Sequence, residues 1–363
     1  MTKILGLFPL RGNGGIISWA NQVMTSFSDE EFQIIAIDTA SKKDFTKLKG
    51  LERVYYDVRT LARIICDTRK ALKTHPDIRI MHLTTSGERA CLKDFVIVCL
   101  CRKKGIRCIM HCHFGIVEIL YKYKGVWSWL FRKNLKLFDQ TWVLDKHSAS
   151  FLWSIPAISN KVELTPNSIE VSENLNIIPC DYKKVVFVGN IVQTKGIFEL
   201  ISAFEELDKD THLYIAGVGS EADIKHMIEL AGSKMDHNVH FLGRLPNQNA
   251  IKLIESIDIL CLPTYGEAFP ISILEAMSRG KMIITCPKGA IPDMLALEDG
   301  SSCGLLVSER NVHDLAEAIK WCQSHPSEAL EMRKKAYEKV KTCYRKEVVY
   351  DIYRRNYRKL LNG

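Results

Sequence analysis

At 363 residues, with 47% hydrophobic and 25% charged residues, the chain has ordinary globular composition and length enough for two domains. No apolar run approaches the roughly 18 residues needed to span a bilayer, and the apolar N-terminal segment, broken by Pro9 and followed by Arg11, is too short for a secretory core; the expected location is the cytoplasm. The net charge of +8 is uneven, residues 1–170 holding 26 Lys/Arg against 16 Asp/Glu, so an anionic partner is expected for the first half, a membrane surface and not nucleic acid.

Residues 4–8 read as a short buried strand, followed by a glycine-rich turn and a helix over 16–27. Strands at 32–37, 78–83, 106–110 and 141–144 follow, with helical stretches at 60–72 and 88–104 between them. Repeated strand–helix units imply a parallel sheet covered by helices. Polar, weakly patterned sequence around Pro166 and Pro179 separates the halves. The pattern then restarts, with strands at 184–188, 212–216, 239–242, 257–262, 282–285 and 305–307. Helices are expected at 196–207, 224–231, 249–256 and 271–278, and charged helix from about residue 327. The end of the chain carries Val348, Ile352, Tyr353, Tyr357 and Leu360 at spacings compatible with one apolar face.

The fold class is therefore expected to be α/β, with two Rossmann-like, doubly wound parallel-sheet domains facing a cleft. The first covers 1–170, a linker 171–182, the second 183–343, and a C-terminal helix over 344–363 packs back toward the first. Open sheets of this kind bind ligands beyond the C-terminal ends of their strands.

The 12 cysteines include no Cys-x-x-Cys. Cys99, Cys101, Cys108 and Cys112 fall on an expected helix and strand, and read as buried reduced thiols, not a metal site. Asp208-Lys209-Asp210 is the only Asp-x-Asp, and sits in a helix-to-strand turn, where solvated acids are common.

The most informative stretch is 263–280, PTYGEAFPISILEAMSRG. A strand ends, a turn carries Gly266 and Glu267, and a helix opens near Pro270, a residue suited to a first helical turn. Free amides at a helix start favour phosphate, and two acids beside an anion need hydroxyl donors, such as those of sugar and ribose. A second signal is 187–196, FVGNIVQTKG. A third is the turn from Pro9 through Arg11, Gly12, Asn13, Gly14 and Gly15, where glycines let backbone approach a ligand.

These stretches resemble the retaining glycosyltransferases of family 4, which have the GT-B fold. Glu267 and Glu275 match that family's Glu-x7-Glu motif, in its context of Leu-Glu-Ala-Met, Gly280, a strand at 282–285 and Gly289. The resemblance implies that Glu267 holds the donor sugar's hydroxyls, Glu275 the ribose, and the amides near Ala268 and Phe269 the sugar and diphosphate. Lys195 matches the lysine that neutralises the leaving diphosphate. Asn190 stands where the family has arginine, which removes one cation from the site. Gly14 and Gly15 match the family's loop near the donor phosphates, and Leu245 lies where backbone contacts the base. The family has a histidine against the donor sugar after the strand at 106–110. His113 fits that place better than His111, and both stay open.

The resemblance implies a metal-independent hexosyltransferase with no cofactor beyond its nucleotide-sugar substrate. The acceptor would be a glycan or a lipid-linked acceptor, in cell-surface polysaccharide synthesis. Two alternatives stand beside it. One is a sugar-nucleotide-binding protein with an impaired site, for which Asn190 argues. The other is a different GT-B enzyme such as a sugar-nucleotide epimerase. A dinucleotide site is a weaker reading, because Ile17 breaks Gly-x-Gly-x-x-Gly although Asp38 ends the next strand. Finally, residues 119–138 mix Tyr121, Tyr123, Trp127, Trp129 and Phe131 with Lys122, Lys124, Arg132, Lys133 and Lys136, and contain no acid. Such a stretch suits the interface of an anionic membrane, with an ordinary amphipathic core helix as the alternative.

Overall fold

A computed structural model describes residues 1–12, 14–27, 29–41 and 50–362. The strands arise where short apolar runs are buried on both faces, as befits parallel sheets covered by helices. In Thr2–Phe8 (β1), five consecutive residues are buried. The following strands are Phe32–Asp38 (β2), Ile78–Thr85 (β3), Arg107–Cys112 (β4), Gln140–Val143 (β5) and Val162–Leu164 (β6). They form one parallel sheet in the order β2-β1-β3-β4-β5-β6. A second parallel sheet joins Lys184–Val188 (β7), His212–Ala216 (β8), Val239–Gly243 (β9), Ile259–Leu262 (β10), Met282–Thr285 (β11) and Leu305–Leu306 (β12). Its order is β12-β11-β10-β7-β8-β9.

The chain divides into two compact units, residues 1–167 with the segment from Val349 onward, and residues 168–348. In the first, the strand order reverses between β1 and β3. In the second it reverses between β7 and β10. Such switch points leave a crevice beyond the strand C-termini, because the loops on either side turn away from each other.

Several elements depart from expectation. β6 is a three-residue edge strand, too short to carry a pattern. The helix expected at 60–72 runs from Gly50 to Thr74. The helix expected at 196–207 stops at Ala203, after which the chain enters turns. Helices at Lys146–Trp153, Ile291–Leu295 and Val312–Ser324 were not anticipated, although the last opens on Asn311, whose side chain accepts from the Asp314 amide at 3.2 Å. Residues 170–182 contain no helix or strand, yet are not simply solvated: Tyr182 is fully buried and the Tyr337 hydroxyl donates to the Ser172 carbonyl.

The final helix, Lys346–Asn362, buries Val349, Tyr350, Tyr353, Asn356, Tyr357 and Leu360. The apolar face is thus turned slightly from the expected one, leaving Val348 and Ile352 half-buried. Trp19 donates from Nε1 to the Tyr353 hydroxyl at 2.9 Å, and Arg358 pairs with Glu31 at 2.6 Å. Each fully buried ring here contributes about 2 kcal/mol through area removed from water.

Candidate active site

In the second unit, the switch point brings together the loops that follow β7 and β10, neighbours in register Ile259↔Val185. The first loop ends in a single turn, Gln193–Lys195, then Gly196 at φ 70°. A Cβ at position 196 would lie 2.1 Å from the Pro263 carbonyl oxygen, so only glycine lets this turn dock on the second loop. The Thr194 carbonyl accepts from the Tyr265 amide at 3.0 Å and from Thr264 Oγ1 at 3.1 Å. Docked this way, Lys195 forms an ion pair with Glu267, both side chains largely shielded from solvent at 20% and 15% exposure.

A second glycine clamps the same loop from its other side. Gly289 has φ 53°, and a Cβ there would come within 2.3 Å of the Glu267 carbonyl oxygen. The next amide, Ala290, donates to the Ala268 carbonyl at 2.8 Å. Ala268 is half-buried, whereas the Phe269 ring is buried against Tyr344, centroids 5.6 Å apart, so Phe269 can offer a ligand only its backbone. Pro270 caps the helix Ile271–Met277, which starts where the sequence placed it. Glu275 lies within that helix at 8% exposure, and burial pushes its carboxyl up to about 7, with Arg279 opposing. Asn190 is exposed and Leu245 half-buried beyond β9.

In the first unit, the loop after β1 closes on Gly14 (φ 115°), whose carbonyl accepts from the Ile17 and Ser18 amides at 3.1 and 3.0 Å. Gly14 and Gly15 are exposed, and Asn13 lies outside the described residues. Asp38 accepts from the Leu10 amide at 3.0 Å and the Ala40 amide at 2.8 Å, and pairs with Arg11. Burial works against its charge, but these donors hold the carboxyl below its ordinary value. These donors fasten the loop after β1 to the end of β2.

His111 and His113 are sorted by the strand end. His111 is inside β4 and fully buried, with Nδ1 3.2 Å from Nε2 of His82 on β3. His82 Nδ1 in turn meets the Tyr357 hydroxyl at 2.8 Å. His113 lies just past β4, half-buried, its ring 4.5 Å from that of Trp19 and its amide donating to Thr85 at 2.9 Å. Burial pushes His82 and His113 down to about 3 and His111 well below its usual value. These rings are neutral at ordinary pH, and the enclosed Nε2 of His113 has no hydrogen-bond partner among the described residues.

Residues 170–339 match the family described as glycosyl transferases group 1. The chain carries a group 1 glycosyl transferase domain. A D-inositol 3-phosphate glycosyltransferase of Corynebacterium diphtheriae is 29% identical over 164 residues, 43% of this chain and 38% of that protein. A D-rhamnosyltransferase of Pseudomonas aeruginosa is 29% identical over 154 residues, 42% of this chain and 39% of that protein. The matched segment thus spans under half the length of these relatives. Among solved structures, sucrose-phosphate synthase from Thermosynechococcus elongatus superposes with TM-score 0.77 at 16% identity, covering 100% of both chains. HepE of Anabaena, solved with UDP-glucose, superposes with TM-score 0.72 at 14% identity, covering 99% of this chain and 100% of that one. At these identities the likeness establishes the fold, which is that of the GT-B glycosyltransferases.

Within the group 1 domain, motif spacing did not reach the residues that hold the Glu267 loop in place. The Tyr265 hydroxyl accepts from Gln193 Nε2 at 2.9 Å and lies 3.3 Å from Glu199. The Arg310 guanidinium sits 4.9 Å from the Tyr265 ring centre. Arg310 is 45 positions from Tyr265 and has φ 54°, so no local pattern connects the two. Of the Asp-x-Asp, Asp210 pairs with Lys183 on an exposed turn. Cys101, Cys108 and Cys112 are buried thiols and Cys99 is half-buried.

The stretch 119–138 folds as two helices, Val117–Lys122 and Val126–Leu137, with Gly125 capping the second. Its apolar side chains divide. Leu130, Phe131, Leu135 and Phe138 belong to the core and cannot reach a bilayer. Ile119, Tyr123, Val126 and Trp129 are 64%, 68%, 59% and 50% exposed. Among the described residues no helix is long and apolar enough to cross a membrane.

Proposed function

We propose that this chain is a retaining glycosyltransferase that moves a sugar from a nucleotide-sugar donor to a glycan or lipid-linked acceptor in cell-surface polysaccharide synthesis. The observation that carries the reading is the Lys195–Glu267 pair, built at the switch point of the group 1 domain by two obligatory close approaches of glycine. The bond from the anomeric carbon to the diphosphate oxygen breaks, and the acceptor oxygen bonds on the same face. The acceptor's proton passes to the leaving phosphate. Lys195 stabilises the charge gathering on the diphosphate, and Glu267 accepts from the sugar hydroxyls it orients. Glu275 accepts from the ribose, the amides of Ala268 and Phe269 face the diphosphate, and Leu245 neighbours the base. HepE was solved with UDP-glucose, which makes UDP-sugars the first donors to test.

Release of UDP is measured with a panel of UDP-sugars, with and without acceptor lipid extract. Lys195→Ala is expected to lower turnover at saturating donor by about 10²–10³-fold, the usual loss on removing one preorganised charge contact, while the protein still melts cooperatively. Near-normal turnover would remove Lys195 from the mechanism. Donor-induced thermal stabilisation without any turnover would favour a binding protein instead.

The reaction is proposed to need no metal. Asp210 is engaged by Lys183, and Lys195 supplies the cation at the diphosphate. Activity is expected to survive EDTA; loss restored by Mg²⁺ or Mn²⁺ would overturn this. The exposed side chains of 119–129, with the cations beside them, are proposed to rest on an anionic membrane surface near a lipid-linked acceptor. Co-sedimentation with phosphatidylglycerol vesicles is expected to weaken with salt. Equal binding to neutral vesicles would refute it.

A further inference from the structure

Beside the helix Val126–Leu137, the segment 155–158 closes a pocket of about 300 Å³. Leu135, Ile155 and Ile158 give it an apolar wall, and Arg132, Lys133 and Lys136 bring three cations to it. Nearby acids are engaged elsewhere: Glu118 with Lys122 at 2.5 Å and His147 at 2.8 Å, Asp139 with Arg102 at 3.2 Å. Among the described residues no acid pairs with Arg132, Lys133 or Lys136. The Arg132 guanidinium is fixed by donation to the Tyr121 carbonyl at 2.6 Å, and the Lys133 ammonium lies 5.7 Å from the Trp129 ring centre. Neither cation is simply a mobile surface charge.

Three like charges around an apolar wall repel one another unless an anion joins them. A free phosphate would neutralise the charge and leave Leu135, Ile155 and Ile158 unused. A phosphate ester with a hydrocarbon tail satisfies both halves of the pocket. Ile119, Val126 and Trp129 are exposed on the same two helices and Tyr123 just past the first, and Trp129 also lines the pocket, which links it to an apolar surface suited to the bilayer interface. We propose that this pocket holds the headgroup phosphate of one anionic phospholipid, with the start of its acyl chains against the apolar wall. The proposal rests on the membrane reading above and sharpens it from a charged surface to a single-lipid site.

The test is calorimetric titration of the full chain with dihexanoyl phosphatidylglycerol below its micelle concentration, beside sedimentation with phosphatidylglycerol vesicles. Saturable binding of one short-chain lipid per chain is expected. Ala157→Trp fills the pocket from an exposed loop position without changing charge, and Lys133→Glu with Lys136→Glu reverses its charge. Each is expected to weaken short-chain lipid binding by about tenfold or more. Dihexanoyl phosphatidylcholine should bind at least about tenfold more weakly, and millimolar inorganic phosphate should not compete. If Ala157→Trp melts early, Ala157→Leu is the smaller filler. Absence of saturable binding, binding indifferent to the filling variant or to the charge reversal, or equal affinity for inorganic phosphate would overturn the proposal. Wild-type protein that sediments with vesicles yet captures no short-chain lipid would sink the pocket alone; failure of both assays would sink the membrane reading too.

Discussion

Glu275 sits inside a helix, nearly enclosed, with a carboxyl that burial lifts to about 7. A raised carboxyl favours the neutral form in the folded state. Its stabilisation is complete below the ordinary value of 4.5 and is lost as pH rises through 7. The cost by pH 8 is about 3 kcal/mol, as an order of magnitude. Such a position persists when the charge does something that stability does not need, here accepting hydrogen bonds from a ribose. Glu275→Gln is therefore expected to melt higher than wild type at pH 8, with the gap closing at pH 4.5, while affinity for the donor falls. Melting curves at the two pH values check the first part and donor titration the second. A glutamine variant less stable at pH 8 would mean that the carboxylate is already satisfied in the free protein. The spacing of Glu267 and Glu275 and the lysine of the FVGNIVQTKG segment were legible in sequence because the motif is local. Their partners were not: Pro263 against Gly196, and Arg310 against Tyr265, meet only through the sheet.

Elements buried on both faces, such as β1, β3 and β10, were legible because a short apolar run between turns has few other readings. Residues 119–138 read as one stretch in the sequence, since charged and aromatic residues mix through it without a clear break; Gly125 supplies the break between the two helices, and burial then separates core from surface residues. Strands β3 and β4 carry the other hidden feature, the contact of His82 with His111 beneath the half-buried His113. Both His82 and His113 are depressed to about 3. Their neutral forms support the fold fully above the ordinary value of 6.5, and this support is lost as pH falls from 6.5 toward 3. At pH 5 the loss is about 2 kcal/mol for each. Glu275 in the second unit changes in the opposite sense over much of that range. Hydrogen–deuterium exchange, corrected for intrinsic rates, should therefore show β3, β4 and the helix Lys346–Asn362 losing protection at pH 5 before β10 and β11. Uniform loss across both units would contradict the assignment of acid sensitivity to these histidines.

At the scale of the molecule, the first unit is discontinuous in sequence and the second is not. The first takes its last helix from the chain end, and that helix fills the sheet's surface with Tyr353 and Tyr357, both fully buried. Trp19 and His82 bond directly to those hydroxyls, and Gln140 Nε2 donates to the Asn356 carbonyl at 3.2 Å. Periodicity in the sequence revealed that a helix was present; which sheet it covers depends on contacts more than 300 positions apart, such as Trp19 with Tyr353. Removing it exposes two large rings' worth of partner surface and leaves buried polar groups of Trp19 and His82 without partners, a loss on the order of 5–10 kcal/mol, comparable to the whole stability of a domain. A fragment ending at residue 167 is thus expected not to fold. A fragment of 168–348 holds its own sheet, its own core and both members of the Lys195–Glu267 pair, and is expected to melt cooperatively and to bind UDP alone. Adding a peptide of residues 346–363 to the first fragment should restore a cooperative melt. Thermal melts by circular dichroism, with UDP titration of the second fragment, decide the matter. A first fragment that melts cooperatively without the peptide would show that the closing helix is an accessory and not part of that unit's core.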